Sequence, residues 1–339
     1  MVIADASEDY ADIGKSAEII NLNSKAISGL HTFALRDKNS KFANGYKGYM
    51  LYNEYTIKQI RKMATGISVL SISKSNLSNL HIPLPPLKEQ EKIAEILSTW
   101  DKAISNLDEL ITQKQNLKTA LMQNLLSAKI HFKEFSDEWQ EVKLGDIGQI
   151  YNGLSGKTAQ DFNNGEASYI TYKNIFDNSR ININIFEKIS IKDDEKQNLV
   201  KFGDIFFTTS SETPNEVAMS SVLLDNIDNV YLNSFCFGYR LNNFETLNPY
   251  FAKFYFRSSI FRNKILKLAQ GSTRFNISKT QILKLKIKLP NLPEQQKIAE
   301  VLSMCDDEIN LLKDKLLNLK LQKQGLMQKL LTGKVRVKI

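Results

Sequence analysis

The sequence predicts an α/β (α+β) protein: two globular domains of short strands and helices, separated by a pair of long antiparallel helices that arise from an internal repeat. Three observations carry this prediction. "LPPLKEQEKIAEILSTWDKAI" from Leu84 recurs as "LPNLPEQQKIAEVLSMCDDEI" from Leu289. In both copies the apolar residues then fall at alternating steps of four and three, the pattern of a helix seam. Between the copies the texture changes to short β-rich runs with polar breaks, such as "ASYITY", "GDIFFTT" and "SFCFGYRL".

The repeat extends beyond the quoted stretch, and self-similarity at a fixed long period implies duplicated architecture. Downstream, Leu121-Met122-Gln123 and Leu125-Leu126 return as Leu326-Met327-Gln328 and Leu330-Leu331. Upstream, Gly66 meets Gly271 and Ile72-Ser73-Lys74 meets Ile277-Ser278-Lys279. With one residue of slippage, Ser7-Glu8 meets Ser211-Glu212 and Arg36 meets Arg240. Met1 then aligns with about Ile205, and the stretch from Phe135 to Asp204 has no counterpart ahead of it. The expected organisation is the back part of a first, truncated domain over 1–84, a first long helix over 85–130, a complete second domain over 131–289, and a second long helix with a terminal strand over 290–339. Either a naturally short gene or removal of the start accounts for the truncation.

The first seam is Ile93, Leu97, Trp100, Ile104, Leu107, Ile111 and Leu121, interrupted by Lys114 and Lys118. The second is Ile298, Leu302, Cys305, Ile309, Leu312, Leu316 and Leu326, interrupted by Lys323. Pro85-Pro86 and Pro290/Pro293 end the preceding strand and suit a helix's first turn; Glu89 and Glu294 favour its positive end, and Gly333 suits the stop of the second helix. Each helix is expected to run about 40 residues, roughly 60 Å. A single seam leaves an apolar stripe in water, so two matching seams in one chain are expected to pack on each other, antiparallel. Lys118 and Lys323 fall at equivalent places and either set register or mark where another protein packs. The alternative is two separate amphipathic helices, each lying on its own domain.

Composition narrows the function classes. A hydrophobic content of 42% and a charged content of 24% are ordinary for a globular chain of 339 residues. No apolar run is long enough to span a bilayer, and "MVIADASEDY" lacks the features of a signal peptide, so a cytoplasmic protein is expected. Two cysteines and three histidines argue against a disulfide framework or a zinc site. The net charge is +8, and its placement is uneven. Thr246 to Pro293 holds no acid and ten Lys or Arg; Tyr55 to Lys88 is likewise acid-free. Two such stretches point to a polyanionic partner such as double-stranded DNA, against the plainer reading of a solvated face.

Catalytic signatures are missing. "NGLSGKT" places Tyr151 where a phosphate loop needs its first glycine. No G-x-G-x-x-G loop, Ser/His/Asp set or acid cluster of metal spacing is present, so neither enzyme chemistry, metal nor cofactor is expected. The loop "AQGSTRFNIS" is the best candidate for a binding surface: Gly271 permits a tight turn, and Thr273, Arg274, Asn276 and Lys279 supply donors at and beyond its tip. Arginine is the best reader of guanine in the major groove and asparagine of adenine. Weaker candidates are Tyr172, Lys173 and Asn174 in "TYKNIFDN", Ser210 and Ser211 in "TTSSETP", and Lys157 and Thr158 in the "SGKT" turn.

Two copies of a variable α/β domain, each followed by "LP.L.EQ.KIAE.L" and a long helix, resemble the specificity subunit of a Type I restriction-modification system. "WQEVKLGDI" at Trp139 resembles the opening of a target-recognition domain of that family, and "LLTGKVRV" its usual terminus. The resemblance covers the whole chain, and its strong part is the repeated motif ahead of each helix. It implies that each target-recognition domain reads half of a bipartite DNA site from the major groove, that the helices set the spacing and dock methyltransferase subunits, and that restriction subunits join in the full complex. Methylation and ATP-dependent cleavage then belong to those partners. The shortened first domain departs from the family, and self-association of two chains through the helices or that domain is one way to supply both half-sites. The competing expectation is a coiled-coil adaptor without sequence-specific DNA binding.

Overall fold

A computed structural model of the chain describes residues 1–338. In chain order the helices are α1 (Glu54–Met63), α2 (Lys74–Ser78), α3 (Leu87–Leu125), α4 (Leu144–Ile147), α5 (Tyr172–Asp177), α6 (Pro249–Tyr255), α7 (Ser259–Leu266), α8 (Lys279–Leu283) and α9 (Leu292–Leu331). The two long helices, α3 and α9, run 39 and 40 residues. The chain divides into two compact units, one of residues 1–113 with 309–339 and the other of residues 114–308. Each unit therefore holds one globular domain, the opening of the long helix that follows it in sequence or its counterpart, and the end of the other. The units cut across both helices rather than falling at their ends.

In the first unit a three-stranded antiparallel sheet has Val2–Ala4 in the middle, flanked by Ser16–Ala17 and Thr32–Ala34. A second ladder joins Ala6–Ser7 to Leu70–Ser71. The core gathers Ile3, Tyr46, Met50 and Leu51 around Ile93 and Leu97 of α3 and Leu330 and Leu331 of α9. Further along, Leu107 and Ile111 pack with Leu316, supported by Ile104, Leu312 and Leu319. Low numbers on α3 meet high numbers on α9, so within this unit the two segments run antiparallel.

The second unit has a four-stranded antiparallel sheet in the order Ser220–Val222, Ile205–Thr208, Cys236–Leu241, Gly148–Asn152. Its first three strands match the sheet of the first unit at an offset of 204 residues; even the register carries over, with Ile3 opposite Phe33 and Phe207 opposite Phe237. The ladder of Ser210–Ser211 with Phe275–Asn276 likewise matches Ala6–Ser7 with Leu70–Ser71. The fourth strand belongs to the stretch that has no repeat partner. A second sheet sets Val230–Leu232 parallel and Glu187–Ile189 antiparallel to Phe162–Ile170. Finally Lys286–Leu289 returns beside Gln140–Lys143, so the domain closes where it opened.

The motif ahead of each helix has a physical explanation. Gln90 is buried; its Nε2 donates to the carbonyls of Pro85 (2.8 Å) and Lys41 (3.1 Å), and its Oε1 accepts from the Ala43 amide (2.9 Å). Gln295 does the same with Pro290 (2.9 Å), Thr246 (2.9 Å) and Asn248 (2.9 Å). A side-chain amide offers two donors and an acceptor on one rigid plane, so it ties the helix start to a loop of the domain with every polar atom satisfied. The preceding glutamates are also buried. Glu89 takes a two-pronged bond from Arg336 (2.6 Å each), and Glu294 bonds Nδ1 of His131 (3.0 Å), the repeat equivalent of Arg336. The "EQ" of the repeat is thus a clamp between a long helix, its domain and the tail of the opposing helix.

Two sequence expectations change. The predicted terminal strand is absent among the described residues: after α9 the chain turns at Gly333 (φ +73°) and continues without a ladder partner, anchored by Arg336 and by Val337 packing on the core. Between α6 and α7 the Ser258 hydroxyl accepts from the Phe261 amide and starts α7 afresh. The seam is also shared differently. Ile93, Leu97 and Leu326 in one unit, and Leu121, Ile298 and Leu302 in the other, pack into the globular cores. Helix-to-helix packing is concentrated at Ile104, Leu107, Ile111, Leu312 and Leu316. Ile309 is buried, whereas Trp100 and Cys305 are half-buried.

Candidate nucleic-acid interface

The turn predicted as the best binding surface is built by one glycine. Gly271 sits at φ +132°, where a side chain is strained, and a Cβ there would lie 2.1 Å from the carbonyl oxygen of Arg274. Gln270 and Asn276 close the turn with two backbone bonds of 3.0 and 2.8 Å, and Phe275–Asn276 pairs with Ser210–Ser211. The ladder brings two candidate loops together. Arg274 Nε donates to Ser210 Oγ (3.1 Å), and the Tyr172 hydroxyl donates to the Ser210 carbonyl (2.9 Å).

These groups line an open cavity of about 560 Å³ in the second unit. Tyr172 and Phe176, one turn apart on α5, form a stacked wall with ring centroids 5.9 Å apart. Burial pushes the Tyr172 hydroxyl above the usual phenol range, so it stays a donor. Thr273 and Arg274 also line the cavity and are exposed. Glu212 and Glu216 complete the lining. Glu216 accepts from the hydroxyls of Ser211 (3.1 Å) and Thr213 (2.8 Å), which folds the loop after Ser211 onto itself.

Of the predicted residues, Tyr172, Ser210, Ser211, Thr273 and Arg274 meet at this cavity. Lys173 and Asn276 are exposed nearby in sequence, and the Asn276 amide donates to the Arg274 carbonyl (3.4 Å). Lys279 is spent on Asn152 Oδ1 (2.5 Å) and lies over the Phe237 ring. Three candidates are engaged within the domain. Lys157 is buried, donating to the Ser190 carbonyl (2.7 Å) and to Glu195 (2.6 Å), so its charge is neutralised inside the domain. Thr158 forms a reciprocal cap with Asp161, whose carboxyl is held below its ordinary range chiefly by the Thr158 amide. Asn174 is fully buried and braces Asn178 and Asn182. Lys157 and Asn174 are thereby committed to the scaffold, whereas Thr158 stays exposed.

The acid-free stretch also reads differently in three dimensions. Seven of its ten cations donate within the unit. Lys253 pairs with Asp306 (3.0 Å), and Lys286 with Glu141 (2.8 Å). Arg257 donates to the carbonyls of Ser220, Ile175, Phe176 and Asn178, and Arg262 to those of Asn215, Val217 and Ala218. Lys264, Arg274 and Lys279 donate to Lys286, Ser210 and Asn152. Burial pulls Arg257 down to about 10, still cationic at neutral pH. Lys267, Lys284 and Lys288 are exposed with no partner among the described residues. Much of the basic composition thus braces loops through backbone carbonyls, a use that needs no nearby acid.

Sequence reasoning missed Phe176, Glu212 and Glu216. The four-residue spacing of Tyr172 and Phe176 is a signal for an aromatic pair on one helix face. Glu212 and Glu216 carry no such signal, because their role depends on a ladder that joins residues more than sixty apart.

The polar interruptions of the seam form matched ion pairs. In the first unit Lys323 pairs with Asp101 (2.5 Å), which also accepts from the Tyr49 hydroxyl (2.6 Å), and Lys323 lies over the Tyr49 ring. In the second, Lys118 pairs with Asp306 and lies over Phe254, while Lys114 pairs with Glu308 (2.6 Å). Asp101 and Asp306, Lys118 and Lys323, and Tyr49 and Phe254 are each 205 residues apart.

The duplicated architecture accords with comparisons to known proteins. The family described as Type I restriction modification DNA specificity domain matches residues 6–116 and 136–321. The chain belongs to this family. Among its relatives, the Type I restriction enzyme MjaVIII specificity subunit of Methanocaldococcus jannaschii is 27% identical over 343 residues, 96% of this chain and 78% of that one. The S subunit of a type I restriction-modification system from M. genitalium shares the fold with a TM-score of 0.55 at 16% identity, over 97% of this chain and 82% of that one. A chain from a structure addressing complex assembly and conformational transition of the type I R-M system gives a TM-score of 0.58 at 16% identity, covering 97% and 81%. Membership makes the chain a DNA sequence-recognition subunit of a Type I restriction-modification system; an adaptor role without DNA recognition is not favoured. Subunits of this kind are generally non-catalytic. No described helix is long and apolar enough to cross a membrane.

Proposed function

We propose that each unit contributes to reading one half of a bipartite DNA site, with α3 and α9 setting the spacing and offering the docking surface for methyltransferase subunits. The observation that carries this reading is the pair of matched clasps, Asp101–Lys323 and Asp306–Lys118. Each fixes a domain to the antiparallel helix segments of its own unit, as a reader mounted on a strut requires. In the second unit the reading surface is the cavity of Tyr172, Ser210, Ser211, Thr273 and Arg274, with Lys173, Asn276 and Lys279 beside it. Methylation and ATP-dependent cleavage are assigned to partner subunits, in a cytoplasmic complex that includes restriction subunits.

The test is to assemble the chain with its cognate methyltransferase subunit and map methylated adenines across a randomised duplex library. A split motif with a fixed gap is expected. Methylation at one continuous short motif would refute the bipartite reading. Binding measured across salt is expected to weaken linearly in log–log form, with a slope set by the phosphates neutralised.

A further inference from the structure

Resting on the DNA-reading function, the geometry points to a G·C pair in the half-site of the second unit. We propose that Arg274 donates to the guanine and that Glu212, a residue with no assigned role, accepts from a cytosine amine at the same or the adjacent step.

Arg274 is prepared for this. Its Nε is tied to Ser210 Oγ, which leaves both terminal nitrogens as a fork for a two-pronged contact. Ser210 is fixed in turn by its ladder with Asn276 and by Tyr172 on its carbonyl. The repeat supplies an internal control for why an arginine stands here. Gly66 makes the same turn in the first unit, at φ +135°, where a Cβ would lie 2.0 Å from the carbonyl of Val69. Thr65 and Ser71 close it as Gln270 and Asn276 do. Val69 is the equivalent of Arg274, so the turn folds without an arginine. Beyond its Nε bond to Ser210, the guanidinium is left to serve something outside the fold.

Glu212 is the second half of the argument. It is exposed, lines the same cavity, and takes no hydrogen bond or ion pair among the described residues. The carboxylate of Glu216, by contrast, is occupied by two hydroxyls. An unpartnered carboxylate on a surface that meets a polyanion is repelled by every phosphate, and gains only where it meets a base-edge donor. In the major groove those donors are the cytosine N4 and adenine N6 amines. With an arginine fork in the same cavity, G·C is the pair that satisfies both groups at once. The Tyr172–Phe176 wall adds no competing charge.

Two variants in the complex with methyltransferase subunit test this, with the duplex varied one base pair at a time. Arg274→Val copies the residue that the first unit tolerates. Glu212→Gln keeps shape and removes the charge. The parent is expected to require a G·C pair in one half-site. Arg274→Val is expected to lose about 5- to 140-fold of the discrimination at that pair. Glu212→Gln is expected to relax preference for the cytosine while the other positions hold. An unfolding midpoint matching the parent shows that each variant is folded. A half-site made of A·T pairs alone, or unchanged preferences in either variant, overturns the proposal. So does Glu212→Gln tightening every duplex equally, which marks a carboxylate that senses phosphates only. A parent complex with no sequence preference would instead refute the DNA-reading function itself.

Discussion

Gly271→Ala tests whether one backbone position supports both the fold of the second unit and its proposed reading surface. At φ +132° an alanine is strained by about 1–3 kcal/mol, and its Cβ, 2.1 Å from the Arg274 carbonyl, cannot be accommodated without opening the turn. Opening it disrupts the two Gln270–Asn276 bonds, each worth about 1 kcal/mol net. The expected loss is therefore about 2–4 kcal/mol, localised to the second unit. Tryptophan fluorescence isolates that unit: Trp139 lies within it and Trp100 in the first, so a Trp100→Phe background leaves one reporter. With a urea dependence of about 2 kcal/mol per molar, the midpoint of the Trp139 transition should fall by about 1–2 M. Sequence preference should weaken in the same variant, because Arg274 no longer has its fixed origin. An unchanged midpoint together with an intact preference would show that the turn relaxes freely and would refute the reasoning.

Other substitutions probe different parts of the same account. Arg257→Met removes a buried guanidinium that binds four carbonyls and should destabilise the second unit by about 3–5 kcal/mol, read as a drop in its urea midpoint. Gly325→Ala should do the reverse: it lies inside α9 with open space around it, and helix propensity predicts a gain of about 0.5–1 kcal/mol in a thermal or urea melt. The Glu89–Arg336 pair sets a pH dependence. Its hydrogen bond holds the Glu89 carboxyl below the ordinary range, so the pair contributes above the unfolded carboxyl pKa and is lost as pH falls through the folded value. Arg336→Met should therefore move the acid limb of a stability–pH profile to higher pH.

The long helices were legible because their information is local. A four-and-three spacing from Ile93 to Leu121 and a proline before each first turn need no knowledge of the rest of the chain. What the seam residues touch was less legible. Ile298 and Leu302 look like partners for another helix in a one-dimensional pattern, yet they fill a core made by strands that precede them by tens of residues. The proposed reading surface shows the same division. Gly271 advertised a turn and Arg274 a donor, but the ladder that sets Ser210 beside Arg274 spans more than sixty residues. The misreadings share one cause. Lys157 and Asn174 have the chemistry of a DNA contact, and only burial shows that this chemistry is spent on Glu195 and on Asn182.

The clasps show what duplication has kept and what it has let vary. A charged pair at the edge of an apolar seam gains little stability over an apolar pair, because its partly wet ions are screened and lose some of their water. Its recurrence at equivalent positions of both units therefore argues for specification, in the way a single polar residue fixes helix register. The third partner supports this. Asp101 accepts from the Tyr49 hydroxyl, whereas Asp306 pairs with Lys253, the residue before Tyr49's counterpart Phe254. Different donors reach the same carboxylate from the domain side. The element retained is thus the tie among domain, helix and opposing helix, with the chemistry of the domain's contribution free to change. A domain mounted in this way can alter its loops, as Val69 and Arg274 illustrate, while its place on the helices stays fixed.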